Sequence, residues 1–290
     1  MFDFDIINSN TLLGESGFYL HKTNEIVFLD LLQPSIIFYS IDNGTLTKEK
    51  LSLPKPLGNI YPLENGKFII SCFNGMHIYD RNKKSLKHYF DLRQKTELKD
   101  ISYNDGTISR NKLWVGLCHI KETKDLGYFG YIKNKKFIEI DRGFKVSNGP
   151  AINEKLKKLY FSDSFNSSIY EYNLKTLKRK NIFKFNKKQG FPDGIALDNQ
   201  NGLWVAHWAG GKVSRINLKT YKIDQQIKLP ALNITSVTFV GKKLNHLFIT
   251  SAKLETSKTQ LEIYKHAGSS FIIKTGFTGL KIPYGNIKKI

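Results

Sequence analysis

The amino-acid sequence predicts an all-β fold, a six-bladed β-propeller whose four-stranded antiparallel blades surround a central channel, with residues 1–290 forming a single domain. Three observations lead there. A strand-like apolar block centred on an aromatic residue recurs six times, its spacing is nearly constant, and no stretch of ten or more residues keeps a helical period between capping signals.

The blocks are Val27-Phe28-Leu29, Lys67-Phe68-Ile69, Leu113-Trp114-Val115, Leu159-Tyr160-Phe161, Leu203-Trp204-Val205 and Leu247-Phe248-Ile249, with aromatic centres 40, 46, 46, 44 and 44 residues apart. Small or turn-forming residues follow each block, then a second apolar run, as in Ser168-Ile-Tyr-Glu-Tyr172 and Gly211-Lys-Val-Ser-Arg-Ile216. Polar turns such as Asn173-Leu-Lys-Thr176 and Asn217-Leu-Lys-Thr220 lead on to a third strand-like segment. Short strands broken by Gly, Asn and Lys turns indicate β-structure throughout. A repeat of about 45 residues with four strands has the period of a propeller blade. A lone blade would leave apolar faces and edges bare, whereas a closed ring covers both. A two-sheet sandwich is the alternative. No linker rich in Pro, Gly or Ser divides the chain.

Lysine and arginine number 45 against 25 acids, a formal charge of +20. Only Arg81, Arg93, Arg110, Arg142, Arg179 and Arg215 are arginine, the residue whose planar fork suits phosphate and guanine. The lysines are scattered through turns such as Lys83-Lys84 and Lys242-Lys243, with no basic tail or helix. Net charge of this kind speaks to nonspecific attraction, so no nucleic-acid partner is expected. The apolar runs are too short to cross a bilayer, so no membrane association is expected either. The start, Met1-Phe-Asp-Phe-Asp5, has no basic region ahead of a long apolar core, and no secretory signal is expected. Two cysteines, Cys72 and Cys118, make neither a disulfide framework nor a cysteine-rich zinc site. A cytoplasmic location follows as the expectation. The sequence leaves the oligomeric state open.

In a propeller the innermost strand of each blade lines the channel. Polar residues at a similar distance upstream of each aromatic anchor therefore converge on one rim. Glu15 lies 13 residues before Phe28, Asn104 lies 10 before Trp114, Asn148 lies 12 before Tyr160 and Asp193 lies 11 before Trp204. Each lies in a glycine-containing stretch, Gly14-Glu15-Ser16-Gly17, Asn104-Asp105-Gly106, Ser147-Asn148-Gly149-Pro150 and Pro192-Asp193-Gly194, and such stretches read as turns. Gly58-Asn59 and Thr235-Ser236 hold similar places in blades two and six. Carboxylate and amide oxygens suit hard divalent cations, Ca²⁺, Mg²⁺ or Mn²⁺, or Zn²⁺ with water completing its shell. His207 and His119, which follow the anchors of blades five and three, are candidates to face substrate. Trp208 and Phe165 are candidates for apolar walls or for core packing. The chain has no Gly-x-Ser-x-Gly elbow, His-Glu-x-x-His, Cys-x-x-Cys or phosphate-cradling glycine loop.

The segment running from Phe191-Pro-Asp-Gly194 through Leu203-Trp-Val-Ala-His-Trp208 to Ile216 resembles a signature of the SMP-30/gluconolactonase/regucalcin family. Leu13-Gly-Glu-Ser-Gly-Phe-Tyr19, Tyr103-Asn-Asp-Gly106, Val146-Ser-Asn-Gly-Pro150, Leu159-Tyr-Phe-Ser-Asp-Ser164 and Ile234-Thr-Ser-Val-Thr-Phe-Val-Gly241 are similar to further motifs of that family, in the same order. The resemblance implies one axial divalent cation (Ca, Zn, Mg, Mn or Fe(II)) held by Glu15, Asn148 and Asp193. It also implies hydrolysis of a sugar-acid lactone. The cation would polarise the lactone carbonyl, and Asp193 would serve both as ligand and as general base. Asn104, Asp105, Ser102 and His207 are the expected substrate contacts. Three departures bear on which small-molecule lactone is used. The glutamate motif continues Ser16-Gly17 in place of Gly-Pro. Ser102 stands where many members carry a substrate-holding arginine. The stretch where some members place a sugar-contacting acid reads His119-Ile-Lys121. A non-catalytic propeller that binds a metal or ligand is the alternative function.

Overall fold

The repeat resolves into a ring. A computed structural model describes residues 3–92, 98 and 100–290, the side chain of Lys187 aside; Arg93 lies outside the described residues. It contains six four-stranded antiparallel sheets, each laid out from the axis to the periphery in chain order except at the closure. Blade one comprises Gly14–Leu20, Glu25–Asp30, Ser35–Ser40 and Leu46–Lys50. The innermost strands of blades two to six are Leu57–Pro62, Ile101–Ser109, Ser147–Asn153, Phe191–Leu197 and Asn233–Val240.

All six aromatic anchors fall on the second strand of their blade and are buried. That strand is covered on both faces, which is why it reads as an unbroken apolar run and does not alternate. Strand periodicity then sends successive side chains to opposite neighbours. Val27 and Leu29 pack with Leu57, Phe68 and Ile70 of blade two. Ile26 and Phe28 pack with Val240 and Phe248 of blade six. Six such apolar clusters occur among the described residues, one at each interface between blades. Ring contacts mark several of them, including Phe28 tilted against Phe248 at 5.1 Å and Phe129 stacked on Phe161 at 4.8 Å.

The ring closes by a device that the period did not announce. The outermost strand of blade six is Phe4–Ile7, from the start of the chain, paired antiparallel with Ser270–Lys274. Residues 276–290 run beneath the channel. Leu280 N–H donates to the Leu197 carbonyl and Gly285 N–H to the Pro62 carbonyl, so this segment ties blades five and two across the lower end. The helix Lys258–Ile263, begun by a capping box between Ser257 and Gln260, sits in blade six. Among the described residues no helix is long and apolar enough to cross a membrane.

One irregularity repeats six times and positions the site. In every innermost strand two residues oppose one on the second strand, which is a β-bulge. The bulged pairs are Ser16-Gly17, Gly58-Asn59, Asn104-Asp105, Gly149-Pro150, Asp193-Gly194 and Thr235-Ser236. The glycine-flanked polar residues therefore lie within strands, and the expectation that they form turns is corrected. A bulge re-aims side chains that regular pleating would alternate. A ring of bulges at one height directs polar groups toward one level of the channel.

Candidate active site

Five of the sequence-predicted residues meet at that level. Glu15, Asn104, Asp105, Asn148 and Asp193 line one cavity of about 300 Å³ above the bulges. Glu15 and Asn148 stand immediately before their bulges, while Asn104, Asp105 and Asp193 lie within theirs. Backbone and side-chain hydrogen bonds hold the group across blade boundaries. Asn104 Nδ2 donates to Asn148 Oδ1 at 2.8 Å and to the Ser147 carbonyl at 3.0 Å. Asn148 Nδ2 donates to Ser164 Oγ at 3.0 Å, and that hydroxyl donates to the Pro192 carbonyl at 2.7 Å. Asp105 accepts from Gly106 N–H and, across the boundary, from Gly149 N–H at 3.0 Å. Glu15 Oε2 accepts from Ser16 N–H at 2.9 Å.

Close approach explains the glycine after Asp193. A Cβ on Gly194 would lie 2.7 Å from Ser236 Cβ and 2.9 Å from the Thr235 carbonyl oxygen. Its φ is not left-handed, so the need is for space between blades five and six rather than for a turn conformation.

The electrostatics are one-sided. Burial raises the pKa of Glu15 well above the usual carboxylate range, with Asp105 adding to it and the Ser16 amide opposing. Burial likewise raises Asp193, reinforced by Glu15, Asp105 and Glu122. Asp105 is pushed up to about 7, chiefly by burial. Among the described residues no Lys, Arg or His pairs with these three carboxylates, and none lines the cavity. Buried carboxylates without a cationic partner are costly unless they share protons or hold a cation. The donors are all oxygen, which fits a hard divalent ion. Among the described residues no three His, Cys, Asp or Glu side chains come together in a group that could hold a metal ion. A cation here would therefore rest on Glu15, Asp193 and the Asn148 amide oxygen, with water filling the remaining positions.

Other expected contacts lie elsewhere. His207 is fully buried and does not line the cavity. It is the penultimate residue of the second strand of blade five, opposite Pro192, and packs edge-on against Phe185 at 4.7 Å. Burial, aided by Lys212, drives its pKa down to about 3. The Gln189 carbonyl tempers that shift, yet neither ring nitrogen reaches hydrogen-bond geometry with a described partner. His119 ends the second strand of blade three, two residues further from its bulge, where Nδ1 accepts from Lys121 N–H at 3.3 Å. Both histidines follow anchors on the second strand, whose side chains point between blades and not at the axis. Ser102 is buried, and its hydroxyl donates to the Tyr103 carbonyl. It pairs with Cys118 two residues before the bulge, on the cavity side, yet does not line the cavity. Trp208 and Phe165 do line the cavity, together with Phe191 and Leu254.

The structure adds two acids at the mouth, Glu122 and Glu255. Glu122 follows the His119-Ile-Lys121 stretch by one residue, at a positive φ of 52°. Its side chain is exposed on the rim, yet enough protein surrounds it that burial raises its pKa, with Glu255 contributing. Reading the stretch one position further would have found it. Glu255 follows the second strand of blade six, and no sequence motif marks it.

Residues 13–253 match the family described as SMP-30/gluconolactonase/LRE-like region. The chain belongs to that family. Regucalcin of Danio rerio is 27% identical over 288 residues, covering 96% of this chain and 94% of its own. A luciferin-regenerating enzyme superposes with a TM-score of 0.89 at 23% identity, covering 99% of this chain and 100% of its own. A calcium-binding regucalcin from Agrobacterium tumefaciens also superposes at 0.89, with 18% identity and coverage of 98% and 97%. Glu15, Asn148 and Asp193 all fall inside the family match, on three different blades.

Proposed function

We propose that this protein is a metal-dependent hydrolase that opens the ring of a lactone, the cyclic ester of a hydroxy acid. The observation that carries the proposal is the meeting of Glu15, Asn148 and Asp193, from blades one, four and five, in one cavity that holds no basic side chain. A purely structural channel has no use for unpaired buried carboxylates, each of which lowers stability. Membership of a family named for gluconolactonase supports the same reading.

A divalent cation bound by these three residues would supply Lewis acidity toward the lactone carbonyl. The chain's own groups do the rest. Asp193 takes a proton from water as the water oxygen attacks the acyl carbon, and later delivers that proton to the ring oxygen as the acyl C–O bond breaks. The product is the open hydroxy acid. Burial and the neighbouring carboxylates raise the pKa of Asp193, the direction that makes a carboxylate a stronger base. Asn104 commits its amide hydrogens to blade four, which fixes Asn148, and leaves its carbonyl oxygen to receive a substrate hydroxyl. Asp105, at the floor, is held by two backbone N–H groups and keeps the substrate above the bulges.

The test is turnover of a lactone panel followed by a pH indicator, with added divalent metals and with chelator. Wild-type protein should hydrolyse at least one lactone in a chelator-sensitive way. Asp193→Ala should lose on the order of 10³-fold in kcat or more while remaining folded. Retained turnover by the folded variant at saturating metal would overturn the assignment, and silence of the wild type across the panel would favour a ligand-binding propeller.

A further inference from the structure

The cavity contradicts the composition of the chain. The protein carries 45 lysines and arginines against 25 acids, yet Glu15, Asp105, Glu122, Asp193 and Glu255 line the site and no basic residue does. A divalent cation would offset the inner carboxylates. The rim pair, Glu122 and Glu255, makes no ion pair among the described residues and faces the entrance. The same cavity is lined by aromatic and aliphatic side chains, Phe165, Phe191, Trp208 and Leu254. Acidic oxygens beside aromatic faces recognise cations, because ring quadrupole and carboxylate act in the same direction. One ring at the mouth already carries an ammonium group. Lys145 Nζ lies 4.8 Å from the centroid of Phe165, and Lys145 itself does not line the cavity.

We propose that this site selects its substrate by charge, favouring lactones whose ring substituent is cationic, accepting neutral apolar ones less well, and excluding anionic ones. The catalytic half of this proposal rests on the lactonase reading; the binding half does not. The same field would repel the carboxylate that ring opening creates and so hasten its release.

Two measurements test it, using lactones that differ in charge but hardly in shape. The first compares kcat/KM for α-(trimethylammonio)-γ-butyrolactone, its neutral isostere α-tert-butyl-γ-butyrolactone and the anionic α-carboxy-γ-butyrolactone. The second measures binding of the corresponding non-hydrolysable γ-lactams by calorimetry on the metal-loaded protein. The cationic member should lead the neutral one by about tenfold in both, equivalent to about 1.4 kcal/mol, and the anionic member should trail by at least as much. The lead should shrink in Glu122→Gln and Glu255→Gln, nearly vanish in the double variant, and weaken with added salt. Equal binding of cationic and neutral lactams, or no binding of either, overturns charge selection. Preferential binding of the cationic lactam with no lactone turnover leaves charge selection standing and removes the lactonase reading.

Discussion

At the scale of single residues, side-chain type and position on the blade together decide what a group does. Glu15, Asn148 and Asp193 were legible in the sequence because their distances upstream of the aromatic anchors agree to within a few residues. The remaining scatter has a plain cause: the bulges, not the anchors, set the common level. His207 misled for the opposite reason. It lies downstream of its anchor, on the second strand, where side chains enter the seam between blades. Its buried state makes a prediction about pH. The folded pKa is about 3, below the ordinary value of 6.5. Above pH 6.5 the imidazole is neutral in both the folded and unfolded chain and contributes no pH dependence. As the pH falls below 6.5 the unfolded chain takes up a proton that the folded one refuses, so stability is lost at up to about 1.4 kcal/mol per pH unit. His207→Leu removes this term. Urea unfolding at pH 7 and pH 4.5 should show wild type losing about 2–3 kcal/mol more than the variant over that interval. Carboxylates affect both proteins alike and cancel in the comparison; parallel pH dependences would show that His207 is protonated in the fold.

At the scale of the strand, the element that matters is the bulged innermost strand. Its existence was not legible. An Asp-Gly or Asn-Gly pair signals a turn by residue preference, and only the pairing of neighbouring strands reveals that the chain stays extended. The second strands were legible because burial on both faces leaves an unbroken apolar run. Gly194 shows what the bulge requires. An added methyl would meet the backbone of blade six at 2.8 Å, and no flexible side-chain tip is there to yield. Gly194→Ala should therefore cost about 1–3 kcal/mol in urea unfolding, in the range of other overpacking changes. It should also lower lactone turnover by moving Asp193 outward. Gly276→Ala is the matched control, since a Cβ there meets nothing within 4 Å and the backbone is not left-handed. Equal stability of the two variants would mean that the blades separate easily at this level and that the bulge does not fix the carboxylate.

At the scale of the whole molecule, the six-fold repeat was written in the spacing of the aromatic anchors, but the manner of closure was not. Strand Phe4–Ile7 is too short and too polar at Asp5 to carry the repeat signature, and its partner lies more than 260 residues away along the chain. Closure joins the two ends of the chain in one sheet. Phe4 meets Phe271 edge-on at 5.7 Å, and Ile7 is buried in the cluster between blades one and six. Without this strand, Ser270–Lys274 becomes a bare edge whose N–H and C=O groups invite pairing with other chains. The ring would also lose the covalent link between its first and last blades, leaving Gly14–Leu20 to face blade six through side chains alone. Burial of Ile7 contributes roughly 1.5–3 kcal/mol and half-buried Phe4 a part of that, so removing the first eight residues should lower the unfolding free energy by at least about 2 kcal/mol. The cavity carboxylates come from blades one, three, five and six, so activity should fall at temperatures where the truncated ring opens but the intact one does not. Urea unfolding followed by tryptophan fluorescence, with light scattering to detect association, reads both effects. A truncated chain that unfolds at the same urea concentration as the intact protein and stays monomeric would show that the inter-blade clusters alone hold the ring shut.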